Sequence, residues 1–198
     1  MADPLPHNDS SQFVGLEAIK TAQRNQLAKF EAAATRARWK DIHHDHYDWW
    51  MFPVDSPSSH GLKWAVYAGD IDELRQDPDF LRDYRRGVQL LMLAWGWDLD
   101  RQEFVPDPAP GQEWQQWPVR LYKAAYSLWL FGFGTEFASL RKYALALMER
   151  GEDFGYGRKD LGAFFTQGLD PYSRKPVYSP SVLPGADSRT LRDLNNTP

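Results

Sequence analysis

Residues 77–96 read DPDFLRDYRRGVQLLMLAWG, and the fold class turns on them. Asp77 is an N-cap side chain, and Pro78 behind it has the fixed φ that suits the first helical position. Phe80, Tyr84, Val88, Leu91 and Trp95 then recur at spacings of 4, 4, 3 and 4, the signature of one apolar helical face. Arg82, Arg85 and Arg86 fall on other faces, and the run ends near Gly96. This stretch predicts an amphipathic helix with a defined start and stop.

Downstream, three Pro between Pro106 and Gly111 break the chain. Trp117-Pro118 opens a second helix, VRLYKAAYSLWLF, which is apolar nearly all round and is therefore expected to be the most buried. Gly132 and Gly134 end it. Thr135 is the expected N-cap of EFASLRKYALALMER, with Phe137, Leu140, Ala144 and Leu147 on one stripe and a stop at Gly151. A short helix is expected within residues 160–167. Upstream, residues 13–38 form an amphipathic helix carrying Leu16, Ile19, Gln23, Leu27 and Phe30, and residues 54–61 are a loop. No strand-like alternation appears. The expected fold is all-α: an irregular bundle of about five helices. It forms a single helical domain over residues 1–170, followed by an extended, Pro-containing C-terminal tail over 171–198 with a short helix around Ser188 to Leu194.

The chain has 198 residues, enough for one domain with a substantial core. Nine Trp and an aromatic share of 15% are high, and large rings serve cores and interfaces alike. The net charge is −4 with mixed signs, and the densest basic pairs, Arg85-Arg86 and Arg141-Lys142, are isolated. That argues against general nucleic-acid binding, which needs clustered cations to displace counterions from phosphates. There is no Cys, so disulfides and thiolate chemistry are excluded. The N-terminus has no secretory pattern, and the longest nearly apolar stretch, Ala124 to Gly134, is far below the ~20 residues that span a bilayer. A cytoplasmic location without membrane insertion is expected.

Asp41, His43, His44, Asp45, His46 and Asp48, with His60 downstream, form the densest set of ligand-type side chains. On a helix His43 and His46 share a face at i, i+3, as do His44 and Asp48 at i, i+4. Imidazoles and carboxylates so placed can bind Zn²⁺ or Fe²⁺, so one alternative is a small metal-dependent enzyme using His43, His44 and His46. The other reading is a polar, solvated helix start, since no HExxH or comparable ligand spacing is present. Gly132-Phe133-Gly134 and Gly155-Tyr156-Gly157 complete no phosphate loop, and no G-x-S-x-G elbow occurs. No catalytic residue and no cofactor is called for. In Trp49-Trp50-Met51-Phe52-Pro53, Trp50 and Phe52 are expected in the core and Trp49, about 100° away on a helix, at the surface. A partner-binding surface would then combine Trp49, Trp95 and Trp97 with Tyr172 and Tyr178 of the tail.

The segment HDHYDWWMFP, 44 to 53, resembles the H-x-Y-I-Q-W-L-F-P signature of the opioid growth factor receptor conserved region. LLMLAWGWDL, 90 to 99, is similar to that family's M-L-x-F-Y-G-x-x-L, and RLYKAAYSLWLFG, 120 to 132, to its R-I-x-R-I-L-x-S-L-x-x-L-G. The resemblance covers roughly residues 38 to 150. It departs at Asp45, where the family has His, and at Asp48 and Trp49, where it has Ile and Gln. Vertebrate members are receptors for an opioid peptide at the nucleus, and the region also occurs in bacterial chains. The resemblance implies an all-α module that binds a protein or peptide partner, and supplies no catalytic residues.

Overall fold

The computed structural model describes residues 12–57 and 61–181, and just over half of them are helical. His60 and the expected helix around Ser188 to Leu194 lie outside the described residues. The contacts group into two compact units, Met1–Leu99 with Phe104–Gln115, and Asp100–Glu103 with Gln116–Pro198. The change of unit after Gln115 falls just beyond the Pro-rich break.

The first unit contains α1 (Leu16–Thr35), α2 (Ala68–Leu74) and α3 (Pro78–Ala94). At the start of α3 the Asp77 carboxylate accepts the N–H groups of Asp79 and Phe80, each at 3.0 Å. Phe80, Tyr84, Val88, Leu91 and Trp95 are all buried, as their spacing requires. On α1 the buried positions are Ile19, Gln23, Gln26, Phe30 and Ala33. Leu27 is only half-buried, because it lies about 100° past Gln26, which occupies the inward position instead. Arg86 of α3 reaches Glu31 of α1 through two bonds of 2.6 and 3.0 Å.

Between α1 and α2 the His- and Trp-rich segment is not an α-helix. It forms two 3-10 turns, Trp39–His43 and Tyr47–Trp49. Asp, His and aromatic residues are weak helix formers, and here their rings are drawn inward. Phe30, Tyr47, Phe52 and Tyr84 make a continuous series of edge-to-face contacts at 5.0, 6.1 and 5.8 Å between centroids. Met51 is wholly buried against Gly87 of α3, where an added Cβ would lie 1.6 Å from the Met51 Cε. After α3, the two-residue strands β1 (Trp97–Asp98) and β2 (Glu103–Phe104) form a short hairpin.

The second unit contains α4 (Pro118–Phe131), α5 (Gly134–Glu149), the strands β3 (Gly155–Tyr156) and β4 (Lys159–Asp160), and α6 (Gly162–Gln167). α4 buries nine of its 14 residues, in keeping with its all-round apolar sequence, and Gly132 ends it with φ 76°. α5 begins one residue before Thr135, with Phe133 at the N-cap and no side-chain cap bond, so Thr135 is not the cap. Phe137, Leu140, Ala144 and Leu147 are buried as expected. Phe164 of α6 is ringed by Tyr122, Tyr126, Phe137 and Tyr178 at 5.1 to 6.1 Å.

Candidate binding surface

Chain segments rather than isolated side chains decide where the expected site residues go. Trp95 caps the C-terminal end of α3 and is 1% exposed. Its ring stacks on His43 at 5.3 Å and 10° and meets Trp114 edge-on at 5.2 Å. Trp97 is 2% exposed, with Phe104 edge-on to it at 5.1 Å. Both therefore belong to the core of the first unit and cannot serve as surface contacts. For Trp95 the physical reason is the helical period that put it on the apolar stripe of α3; Trp97, beyond the helix in β1, is covered by Phe104. Trp49 is half-buried, and so is Trp50, whose ring lies 5.2 Å from Trp64; Phe52 alone of the expected pair is fully enclosed.

The His residues separate. His43 is buried, with Nδ1 at 3.3 Å from the Tyr47 hydroxyl and its ring on Trp95. His44 and His46 are exposed, because the helical path breaks at residues 44–46 between the two 3-10 turns, so His43 and His46 do not lie on one continuous helix. The carboxylates are drawn to cations near the end of α1. Asp45 accepts from Lys29 at 2.8 Å and from Gln26 at 3.3 Å, and the Lys29 ammonium holds its carboxyl below the usual range. Asp41 pairs with Arg38 and lies 3.8 Å from the His44 ring. Among the described residues no three His, Asp or Glu side chains are grouped to hold a metal ion.

Tyr178, expected on a free tail, is 6% exposed in the second unit. Its hydroxyl donates to the Phe164 carbonyl, and its ring packs on Trp129, Phe137 and Phe164 at 5.3, 5.0 and 5.4 Å. Burial pushes its hydroxyl up to about 12, an effect the neighbouring Arg141 opposes. The stretch leading to it is tied down by a Leu169–Pro176 bridge and a 2.7 Å bond from the Val177 N–H to the Gly168 carbonyl. An aromatic ring with a backbone acceptor waiting for its hydroxyl is drawn into the core despite the surrounding Pro residues.

Tyr172 is the expected contact residue that stays outside, 49% exposed. Asp170 shapes its turn by accepting the Tyr172 N–H at 2.7 Å and the Ser173 hydroxyl at 3.0 Å. The Tyr172 ring lies 6.0 Å from Tyr122, and the Lys159 ammonium sits 4.3 Å from its centroid, a cation–π distance. Lys159 faces Tyr156 across β3 and β4, and Tyr156 is 52% exposed. The two-residue turn joining these strands places Gly157 first, with φ 60°, the residue such a turn requires. Sequence reasoning did not assign Tyr156 to a surface, although the glycines on either side of it are a signal for a tight, outward-facing turn.

The charges around these rings are arranged unequally. Asp153 and Asp160 accept backbone N–H groups of Gly155 and Ala163 at 2.8 and 3.2 Å. The side chains of Arg158, Arg174 and Lys175 are exposed and form no ion pair among the described residues. Partial burial, together with the neighbouring Tyr156 and Asp170, raises the Tyr172 hydroxyl above its ordinary value, so it stays a neutral donor. No family model, no curated protein and no solved structure matches the chain. Among the described residues no helix is long and apolar enough to cross a membrane.

Proposed function

We propose that the chain is a non-catalytic helical binding module, and that the second unit carries its contact surface at Tyr156, Lys159 and Tyr172, for an acidic protein segment. The observation that carries this reading is the pair of half-exposed tyrosines, with Lys159, the strand partner of Tyr156, holding its ammonium over the Tyr172 ring. Tyr and Arg dominate the energetics of protein interfaces because they combine large apolar area, few rotors and hydrogen-bonding tips. A ring already fixed by a neighbouring cation loses little entropy on docking. Nearby carboxylates are turned toward the backbone, whereas the guanidinium groups of Arg158 and Arg174 point to no acid, so carboxylates from outside are the complementary chemistry. The resemblance of residues 38 to 150 implies a helical module that binds a partner; the surface proposed here lies beyond that stretch, at residues 156–172.

The test is capture from a lysate of the source organism with the full chain and with a Tyr156→Ala, Tyr172→Ala variant. The reading expects a stoichiometric partner, held through an acidic segment and released by salt, that the double variant loses while its melting temperature stays near that of the parent. A partner retained by the double variant, or none with the parent, overturns it.

A further inference from the structure

Arg174 has φ 62°, a left-handed conformation that glycine adopts freely and that is costly for a residue with a Cβ. Ala37, Gln102 and Gln116, the other non-glycine residues with positive φ among the described residues, carry no charge. Such a conformation persists only where the surrounding structure holds it, and it recurs where a side chain contacts a ligand.

The turn around Arg174 is closed on itself. The Arg174 N–H donates to the Asp170 carbonyl at 2.7 Å, and the Asp170 N–H donates to the Lys175 carbonyl at 2.9 Å. The Leu169–Pro176 bridge ties the two ends together, and Pro171 and Pro176 each fix their own φ. Asp170 is the only acid in the turn, and its Oδ1 and Oδ2 are taken by the Tyr172 N–H and the Ser173 hydroxyl. Residues 172–176 are all exposed, and Arg174 forms no ion pair among the described residues. The fold therefore presents an unmatched guanidinium from a rigid turn, two residues from the exposed Tyr172 ring.

We infer that Arg174 is the specificity-determining residue of the surface at Tyr156, Lys159 and Tyr172, and that its guanidinium takes one Glu or Asp carboxylate of the partner through paired N–H bonds. The inference rests on the function proposed above. The Lys159 ammonium lies over the Tyr172 ring and is a point charge, whereas a guanidinium is a planar fork that matches a carboxylate oxygen for nitrogen. The closed turn lowers the entropy lost on docking. A glycine at position 174 would relieve the backbone and remove the contact, so stability and binding are expected to move in opposite directions at this one residue.

The experiment titrates the ¹⁵N-labelled full chain at low ionic strength with acetylated hexaglutamate amide and with the hexaglutamine analogue, following the Arg174 Nε–H and the Tyr172 amide. A saturable shift of both resonances with hexaglutamate and none with hexaglutamine is expected. Arg174→Gly should weaken hexaglutamate binding about tenfold, the loss of one charge-assisted pair, while melting at or above the temperature of the parent. Arg174→Lys, which keeps the charge without the fork, should fall between the two in affinity. Hexaglutamate affinity that is lost in Tyr156→Ala, Tyr172→Ala but unchanged in Arg174→Gly overturns this inference and leaves the proposed surface standing. Affinity unchanged in both variants, or no saturable shift with the parent, overturns the two together. Full affinity in Arg174→Lys removes the paired bonds, and an Arg174→Gly chain that melts below the parent removes the backbone cost; either result overturns the inference.

Discussion

Gly168 lies directly against the Tyr178 backbone: a Cβ at Gly168 would stand 2.0 Å from the Tyr178 carbonyl oxygen. Gly168 also has φ 69° and closes α6, so two independent constraints select glycine. The left-handed conformation alone costs an L-residue about 1–2 kcal/mol, and the overlap with backbone adds to it. Gly168→Ala is expected to lower stability by more than about 2 kcal/mol, read from denaturant melts. An unchanged midpoint would mean that residues 176–178 do not seat on α6.

Tyr178 closes the aromatic group around Phe164, so the stretch from 171 to 181 is structural. Tyr178→Ala is expected to destabilise by about 3–5 kcal/mol, as for other large-to-small changes of buried rings. Tyr178→Phe keeps the ring and leaves the Phe164 carbonyl without its hydroxyl donor, for about 1–3 kcal/mol. A chain ending at Asp170 should be less stable than one ending at Ser181. Equal melting temperatures for the two would show that the tail contributes nothing to the second unit.

Phe52 and Trp50 are neighbours with different surroundings. Phe52 is fully enclosed between Tyr47 and Tyr84, whereas Trp50 is half-buried beside Trp64. Phe52→Ala is expected to cost about 3–5 kcal/mol and Trp50→Ala clearly less. Chemical denaturation of both variants checks the order, and the reverse order would contradict the packing of this segment.

Asp77 and Lys20 give the first unit a pH dependence at both ends. The Phe80 N–H and then the Lys20 ammonium hold the Asp77 carboxyl below its ordinary value near 3.8. Its contribution is therefore complete above that value and is lost as pH falls through the lower folded value. Asp77 and Glu17 hold the Lys20 ammonium above 10.5, so its contribution is complete below 10.5 and is lost as pH rises beyond it. Melting temperature against pH should fall at both extremes. Asp77→Asn, which can still cap α3, should flatten both limbs, and limbs unaltered by it would assign the dependence to other groups.

The sequence by itself determined the elements whose signal is local. Asp77-Pro78 starts α3 because capping and a fixed φ act within one turn, and the spacing from Phe80 to Trp95 fixed which face is buried. Gly132 stops α4, and the apolar stripe from Phe137 to Leu147 orients α5, for the same reason. Tertiary structure decided what depends on residues far apart in the chain. Helical spacing suggested that His43 and His46 face one point, but the Asp41 and Asp45 contacts near the end of α1 and the stacking of His43 on Trp95 accompany 3-10 turns that separate them. Trp95 and Trp97 could have been contact or core residues on composition alone, and Trp114 and Phe104 close over them. Tyr178 looked free because Pro-rich sequence has no period of its own; its burial rests on a carbonyl at Phe164, rings at Trp129 and Phe137, and the missing side chain at Gly168. A local pattern can state which residues avoid water, but only the folded chain supplies the partners that determine where each one does so.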